Sequence, residues 1–188
     1  METLPDYLAV DLRLLVIGLN PSPASVAAGY YYGHPRNRFW PAMREASLVP
    51  ADFLPSPENL AWLCNERGIG FTDIVKRPTP GGADLRAADY RHWAPVLSAH
   101  LRACRPRVAW FNGKGVYRNY LRYGLGRTGE RVELGCQAEP PAPNVVAFVT
   151  PNPSPANAAF DLATLVAWYR AAGEASAEAA MSTQPEAE

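Results

Sequence analysis

The 188-residue sequence lacks the marks of several large protein classes. Its three cysteines, Cys64, Cys104 and Cys136, are odd in number and widely spaced, with no C-x-x-C pair. Such spacing speaks against a zinc site or a cysteine-ligated iron–sulfur cluster, and free thiols fit a reducing cytosol. His92 and His100 stand two helical turns apart, not at the i, i+4 spacing a metal prefers. An excess of one charge is also missing, since 18 basic residues balance 18 acidic ones. A strongly basic nucleic-acid binder is thereby disfavoured, although a local patch can hide in a neutral total. No apolar run approaches the roughly 20 residues of a membrane span, and no basic-then-apolar leader opens the chain. A soluble, cytoplasmic protein with no membrane partner is the expectation. A G-x-S-x-G elbow and a Walker A loop are both missing, which lowers acyl-hydrolase and NTPase readings. "GLGRTG", Gly124 to Gly129, spells G-x-G-x-x-G but follows a helical segment instead of a strand, so it reads as a helix cap and loop. Neither a metal nor a cofactor is expected.

What is present is an alternation of apolar strands and helices. At 48% hydrophobic, the chain can bury a substantial core as one domain. Leu12–Gly18 is a near-continuous apolar run, the mark of a strand covered on both faces. Further strands are expected at Gly70–Val75, Val108–Phe111 and Val145–Val149. Helices are expected at Asn37–Ala46, Ser56–Arg67 with Ser56 as N-cap, Ala87–Cys104, Gly115–Tyr123 and Phe160–Ala172. This alternation predicts an α/β three-layer sandwich, with a central, mainly parallel sheet of four to five strands covered by helices on both faces. Residues 1–173 form the domain. Residues 174–188, built of Ala, Glu and Ser with Met181 the one large apolar side chain, read as a disordered tail.

The most informative feature is a doubled spelling. "VIGLNPSPAS" near the start and "FVTPNPSPAN" near the end each run a strand into Asn-Pro-Ser-Pro-Ala, at residues 20–24 and 152–156. Asn-Pro is a strand stop in its own right, because proline holds the preceding residue extended and cannot donate to a ladder. Two strand-terminating turns would account for it. However, ligands in open α/β sheets sit outside the carboxyl ends of the strands. There the chain places Asn20, then Thr72-Asp73, then Asn112, then Asn152. Amides suit base reading, since each offers donors and an acceptor. The loop after Asn20 adds Tyr30, Tyr31 and Tyr32, a source of stacking surface.

These segments carry a resemblance. "GLNPSPAS…YYYGHPRNRFW" resembles the first motif of the mismatch-specific uracil and thymine-DNA glycosylases. "GIGFTDIVKRPTPGGADL", "FNGKGVY" and "TPNPSPANAAF" are similar to that family's middle segment, third-strand end and second motif, in the same order over roughly residues 12–170. The resemblance implies a monofunctional hydrolase of base-excision repair, acting without metal or cofactor on uracil in mismatched duplex DNA, with single-stranded DNA a further option. The base would be flipped from the helix and its N-glycosidic bond cleaved to leave an abasic site. By the same resemblance Asn20 positions the attacking water, Tyr32 stacks on the base, and Ser25 lies near its C5 edge. Leu19, Thr72 and Asn112 complete the base pocket. The loop of Asn152, Ser154, Pro155, Ala156 and Asn157 binds DNA and presses into the vacated stack. A monomer is expected.

The residue types allow a check on the chemistry. A neutral amide such as Asn20 can orient water but cannot remove its proton. Asp73, at a neighbouring strand end, could do so and could stabilise a cationic sugar; equally, it could be a surface partner of Lys76 or Arg77. Two departures from the family pattern stand out. Ser22 replaces the usual Gly after the first Asn-Pro, and Pro155-Ala156-Asn157-Ala158 offers a small wedge where relatives carry a bulky or basic one. Arg36, Lys76, Arg77, Lys114 and Arg118 lie at or after strand ends, where they either face phosphates or are simply solvated. Besides a uracil glycosylase, two functions stay in view: a same-fold glycosylase for another base such as hypoxanthine, and a nucleic-acid-binding module that kept the pocket.

Overall fold

Short apolar strands set the architecture. The computed structural model describes residues 2–181. Strands β1 (Leu14–Gly18), β2 (Ile69–Asp73) and β3 (Val108–Asn112) are buried at every position, as strands covered on both faces must be. With β4 (Gly135–Cys136) and β5 (Val146–Thr150) they form a five-stranded sheet in the order β2-β1-β3-β5-β4. All pairings are parallel except β4 with β5. Alternate residues feed two cores. Leu14, Val16, Phe71 and Trp110 point to one face, while Leu15, Ile17, Ala109 and Phe111 point to the other. The first core is closed by α2 (Phe39–Glu45), α6 (Leu162–Met181) and most of α3 (Pro57–Arg67). The second is closed by α4 (Ala87–Cys104) and α5 (Lys114–Gly124).

Local chemistry explains the boundaries. Ser56 caps α3 by accepting from the Asn59 N–H at 3.1 Å, with Pro57 at the first position, where its missing N–H costs nothing. Helix α4 starts where the Asp89 carboxylate accepts from the Arg86 N–H at 2.7 Å. The outer edge of β2 is covered by the segment ahead of β1, through Tyr7 N–H to Phe71 O at 2.9 Å and Phe71 N–H to Tyr7 O at 3.0 Å.

Three elements differ from the expectation. Helix α1 (Pro23–Ala28) begins at the first Pro-Ala, capped by Ser22, whose Oγ accepts from the Ser25 N–H. Strand β4 has only two residues, too few to show a period. Residues 174–181 continue α6 as helix instead of belonging to a disordered tail, with Ala175 and Ser176 buried. Alanine and glutamate are strong helix formers, and small residues let this stretch lie close to its neighbours. A Cβ on Gly173 would come within 2.8 Å of Leu48. The rest of the expected tail, 182–188, lies outside the described residues.

Candidate active site

Strand β1 lies between β2 and β3, so the chain crosses over it and leaves a crevice at the carboxyl ends of the parallel strands. Two exits run on together beyond the sheet. Ile74 N–H donates to Gly18 O at 2.9 Å, Val75 N–H to Leu19 O at 3.0 Å and Thr79 N–H to Pro21 O at 3.1 Å. This zipper sets Asn20, Asp73 and Thr79 side by side. The Asn20 amide then crosses it: Nδ2 donates to Thr79 Oγ1 at 2.7 Å, Arg77 O at 3.0 Å and Pro21 O at 3.2 Å. Main-chain carbonyls only accept, so the nitrogen must be the atom on this side. Oδ1 is left as the free end, an acceptor facing the crevice.

A cavity of about 170 Å³ opens there, lined by Gly18, Asn20, Ser25, Tyr32, Asp73 and Asn112 among others. One water needs about 10–15 Å³ by such a measure, so the space suits a small organic ring. Its floor is polar and unsatisfied. Among the described residues, four buried side-chain atoms lack a hydrogen-bond partner, and three of them, Tyr32 Oη, Asp73 Oδ2 and Asn112 Nδ2, belong to this cavity. Orphaned buried polar atoms are rare and costly, so three in one place mark a site shaped for something else to complete. The Tyr32 hydroxyl and Asn112 Nδ2 face one another without reaching hydrogen-bond geometry. Asn112 Oδ1 is held from behind by the Thr150 and Tyr169 hydroxyls, each at 3.3 Å. Nδ2 is thereby the end of this amide turned toward the cavity.

Asp73 is not a surface charge. It is 6% exposed, and burial raises its carboxyl to about 7, with Lys76 pulling the value down and Asp6 pushing it up. The candidate surface partners are engaged elsewhere: Arg77 with Asp89 at 2.7 Å and Lys76 with Asp6 at 2.7 Å. Gly18 makes room for the carboxylate, since a Cβ there would lie 2.2 Å from Asp73 Oδ1 and 3.2 Å from Tyr32 Oη. Tyr32 adopts a left-handed backbone, φ 58°, rare and strained for a bulky residue. One face of its ring lies on Phe39, with centroids 3.9 Å apart and planes 12° off parallel.

Of the other expected pocket residues, Leu19 and Ser25 line the cavity and Thr72 does not. Strand alternation turns Thr72 away from its neighbour Asp73, and its hydroxyl donates to Asp6 Oδ1 at 2.8 Å beneath the segment ahead of β1. Of the basic residues read as either phosphate-facing or solvated, Lys76, Arg77 and Lys114 all sit in ion pairs, the last with Glu133 at 2.8 Å.

The second Asn-Pro-Ser-Pro-Ala forms the opposite wall. Asn152 and Ser154 border both this cavity and a larger adjoining one of about 580 Å³, which Ala156 and Asn157 also line. Pro155 and Ala156 are exposed. The loop is held by a residue not foreseen as functional, Arg38. Its Nη2 donates to Ser154 O and Asn157 O at 2.9 and 2.8 Å, its Nε to Pro153 O at 3.4 Å, and its Nη1 to Phe160 O. Its main-chain N–H adds a bond to Pro153 O at 3.3 Å. The motif Pro-x-Asn-Arg-Phe-Trp displays this arginine, but partners more than a hundred residues away leave no local trace.

The family model of the uracil DNA glycosylase superfamily matches residues 5–172. The chain belongs to the uracil DNA glycosylase superfamily. Over 132 residues it is 28% identical to the G/U mismatch-specific uracil DNA glycosylase of Schizosaccharomyces pombe, a match covering 68% of this chain and 39% of that relative. The chain therefore spans well under half the length of that relative. A candidate uracil DNA glycosylase from Methanosarcina acetivorans, solved by solution NMR, shares the fold with TM-score 0.59 and 20% identity, over 93% of this chain and 97% of that one. That structure and this chain share the α/β fold described above. The crevice just described occupies the end of the sheet where both Asn-Pro motifs emerge.

Proposed function

We propose that this protein removes uracil from mismatched duplex DNA by hydrolysing the N-glycosidic bond, with Asp73 as general base and Asn20 as the residue that orients water. The observation that carries this reading is the trio of orphaned polar atoms on the cavity floor, Tyr32 Oη, Asp73 Oδ2 and Asn112 Nδ2. Uracil has carbonyl acceptors for donors such as Asn112 Nδ2. The flipped nucleotide would enter with its base against Tyr32, whose ring is already backed by Phe39.

The bond changes balance without a cofactor. The water oxygen bonds to the sugar carbon as the base departs with the electron pair of the glycosidic bond. The water proton goes to Asp73 Oδ2, and the free Asn20 Oδ1 accepts the other hydrogen to set the water's direction. Negative charge growing on the base meets the Asn112 donor, while the ionised carboxylate stabilises the cationic sugar. A base with its carboxyl at about 7 is matched to neutral pH, since catalysis favours a group poised near the working value. The monomer is the acting unit, and the Asn152–Asn157 loop contacts the duplex.

The test is single-turnover cleavage of duplexes carrying uracil opposite guanine, with hypoxanthine-containing and single-stranded controls. Cleavage of the uracil duplex with a rate rising through pH about 7 is the expected result. Binding without cleavage would make the protein a recognition module, and faster cleavage of hypoxanthine would move the substrate class.

A further inference from the structure

The cation acting on Asp73 is not on the cavity wall. Lys76 follows it by three residues and is 6% exposed. Its ammonium donates to Asp6 Oδ1 at 2.7 Å and to the Tyr31 hydroxyl at 2.8 Å, and it stands 5.4 Å from the Tyr31 ring centre. The same Asp6 oxygen also accepts from Thr72 Oγ1 at 2.8 Å and from the Tyr31 hydroxyl at 3.3 Å. Asp6 reaches this place on the segment ahead of β1. That segment is tied down by the Tyr7–Phe71 bridge and by Thr3 Oγ1, which donates to Lys76 O at 2.6 Å. A buried ammonium costs desolvation that a methionine of similar length would avoid, so a purely structural role explains it poorly.

We propose that Lys76 is a positioning residue for the Asp73 carboxylate, and that residues 3–7 belong to the active site because they deliver Asp6, the counter-ion that holds Lys76 in place. The proposal rests on the assignment of Asp73 as the base. Lys76 favours the ionised carboxylate, while Asp6 opposes it and draws Lys76 toward itself. The other titratable groups facing Asp73 are the Tyr31 and Tyr32 hydroxyls, both kept neutral by burial. Tyr169 from α6 stands behind Tyr32 and is neutral for the same reason, and Asn112 from β3 carries no charge. The ion pair therefore sets the field at Asp73 through two charges of opposite effect.

That opposition supplies a signature no scaffold role would give. In single-turnover cleavage of a uracil-containing duplex, Lys76→Met is expected to move the rising limb of the rate profile to higher pH by about one unit. Asp6→Asn is expected to move it to lower pH, and the double variant to bring it back toward the parent. Lys76→Gln, which keeps a donor to Asp6, carries the same prediction if the methionine is not accommodated. A scaffold role would slow both single variants without opposite displacement. Limbs that stay in place or move the same way overturn the proposal. Asp73→Asn separates the two levels. If it abolishes the limb while the Lys76 and Asp6 variants leave theirs unmoved, only this inference falls; if it leaves rate and limb intact, the base assignment falls and takes this inference with it.

Discussion

The two copies of Asn-Pro-Ser-Pro-Ala are spelled alike and fold differently. After Asn20, Ser22 caps a helix and Pro23 opens it, so the first copy becomes α1. After Asn152, Asn152 Oδ1 accepts from the Ser154 N–H at 2.8 Å and Asn157 Nδ2 donates back to Asn152 O at 2.9 Å, closing a turn. Carbonyls that a helix would need, those of Pro153, Ser154 and Asn157, are taken by Arg38. The amide of the first copy braces the 77–79 segment and presents an oxygen to the cavity, whereas the second is absorbed in its own loop. Identical local propensity is thus decided by what the next element offers: Ser25 to Gly29 in one case, an arginine from across the sheet in the other.

The strongest test of this difference is to strip chemistry from one copy and contact from the other. Asp73→Asn should lower the single-turnover rate by roughly 10²–10⁴-fold, and Asn20→Ala by about 10²-fold, with binding to abasic product duplex nearly kept. Asn152→Ala should weaken product binding by about tenfold while the rate at saturation changes little. One common defect from Asn20→Ala and Asn152→Ala would erase the division between the copies.

Arg38 sharpens the comparison from the other side. Arg38→Met releases the carbonyls of the second loop and should cost about 2–4 kcal/mol of stability, with product binding falling by one to two decades. Arg38→Lys should recover little, since a single ammonium cannot span the fork that reaches Ser154, Asn157 and Phe160. Thermal unfolding and binding titration on both variants read this out. A wild-type loop affinity in Arg38→Met would show that the turn closes without its clamp.

Much of the site could be read from the chain because strand ends are local events. Apolar runs ending in Asn20, Asp73, Asn112 and Asn152 give both the parallel sheet and the side of it that carries polar groups. What could not be read was decided at long range. Nothing near Thr72 shows that its hydroxyl belongs to Asp6, 66 residues away. Nor does Lys76 display that it is buried rather than solvated. The helical extension to Met181 was hidden for another reason: low hydrophobicity suggested disorder, while Ala-rich propensity and the burial of Ala175 and Ser176 favoured helix.

The crevice beside the first copy also carries a stability cost that the second loop lacks. The Asp73 carboxyl keeps its proton up to about 7 in the folded protein, against about 3.9 in an unfolded chain. Between those values the folded state binds more protons, so this group's stabilising contribution is complete at low pH and is lost as pH rises through about 7. Asp73→Asn should flatten that slope and leave the inactive protein more stable than the parent by a few kcal/mol above neutrality. Denaturant unfolding at a series of pH values checks it. A slope unchanged by Asp73→Asn would place the perturbed proton elsewhere.

The smallest effect is expected where the second copy meets DNA. Ala156 is exposed on a loop whose backbone is already fixed by Arg38, so a larger side chain there need not disturb the fold. An apolar wedge fills the gap left by a flipped base, and burying one leucine against the stack is worth about 1.5 kcal/mol at the low end. Ala156→Leu should therefore tighten binding to abasic product duplex by about tenfold, through slower dissociation, while the single-turnover rate stays within about twofold. Turnover under multiple-turnover conditions should fall in step with product release. The matching change in the first copy, Ala24→Leu in α1, should do nothing for product affinity, because that alanine lies within a capped helix beside the pocket instead of on the exposed loop. Equal gains from Ala156→Leu and Ala24→Leu would mean that added apolar surface, not the position of the second loop, controls grip on the duplex.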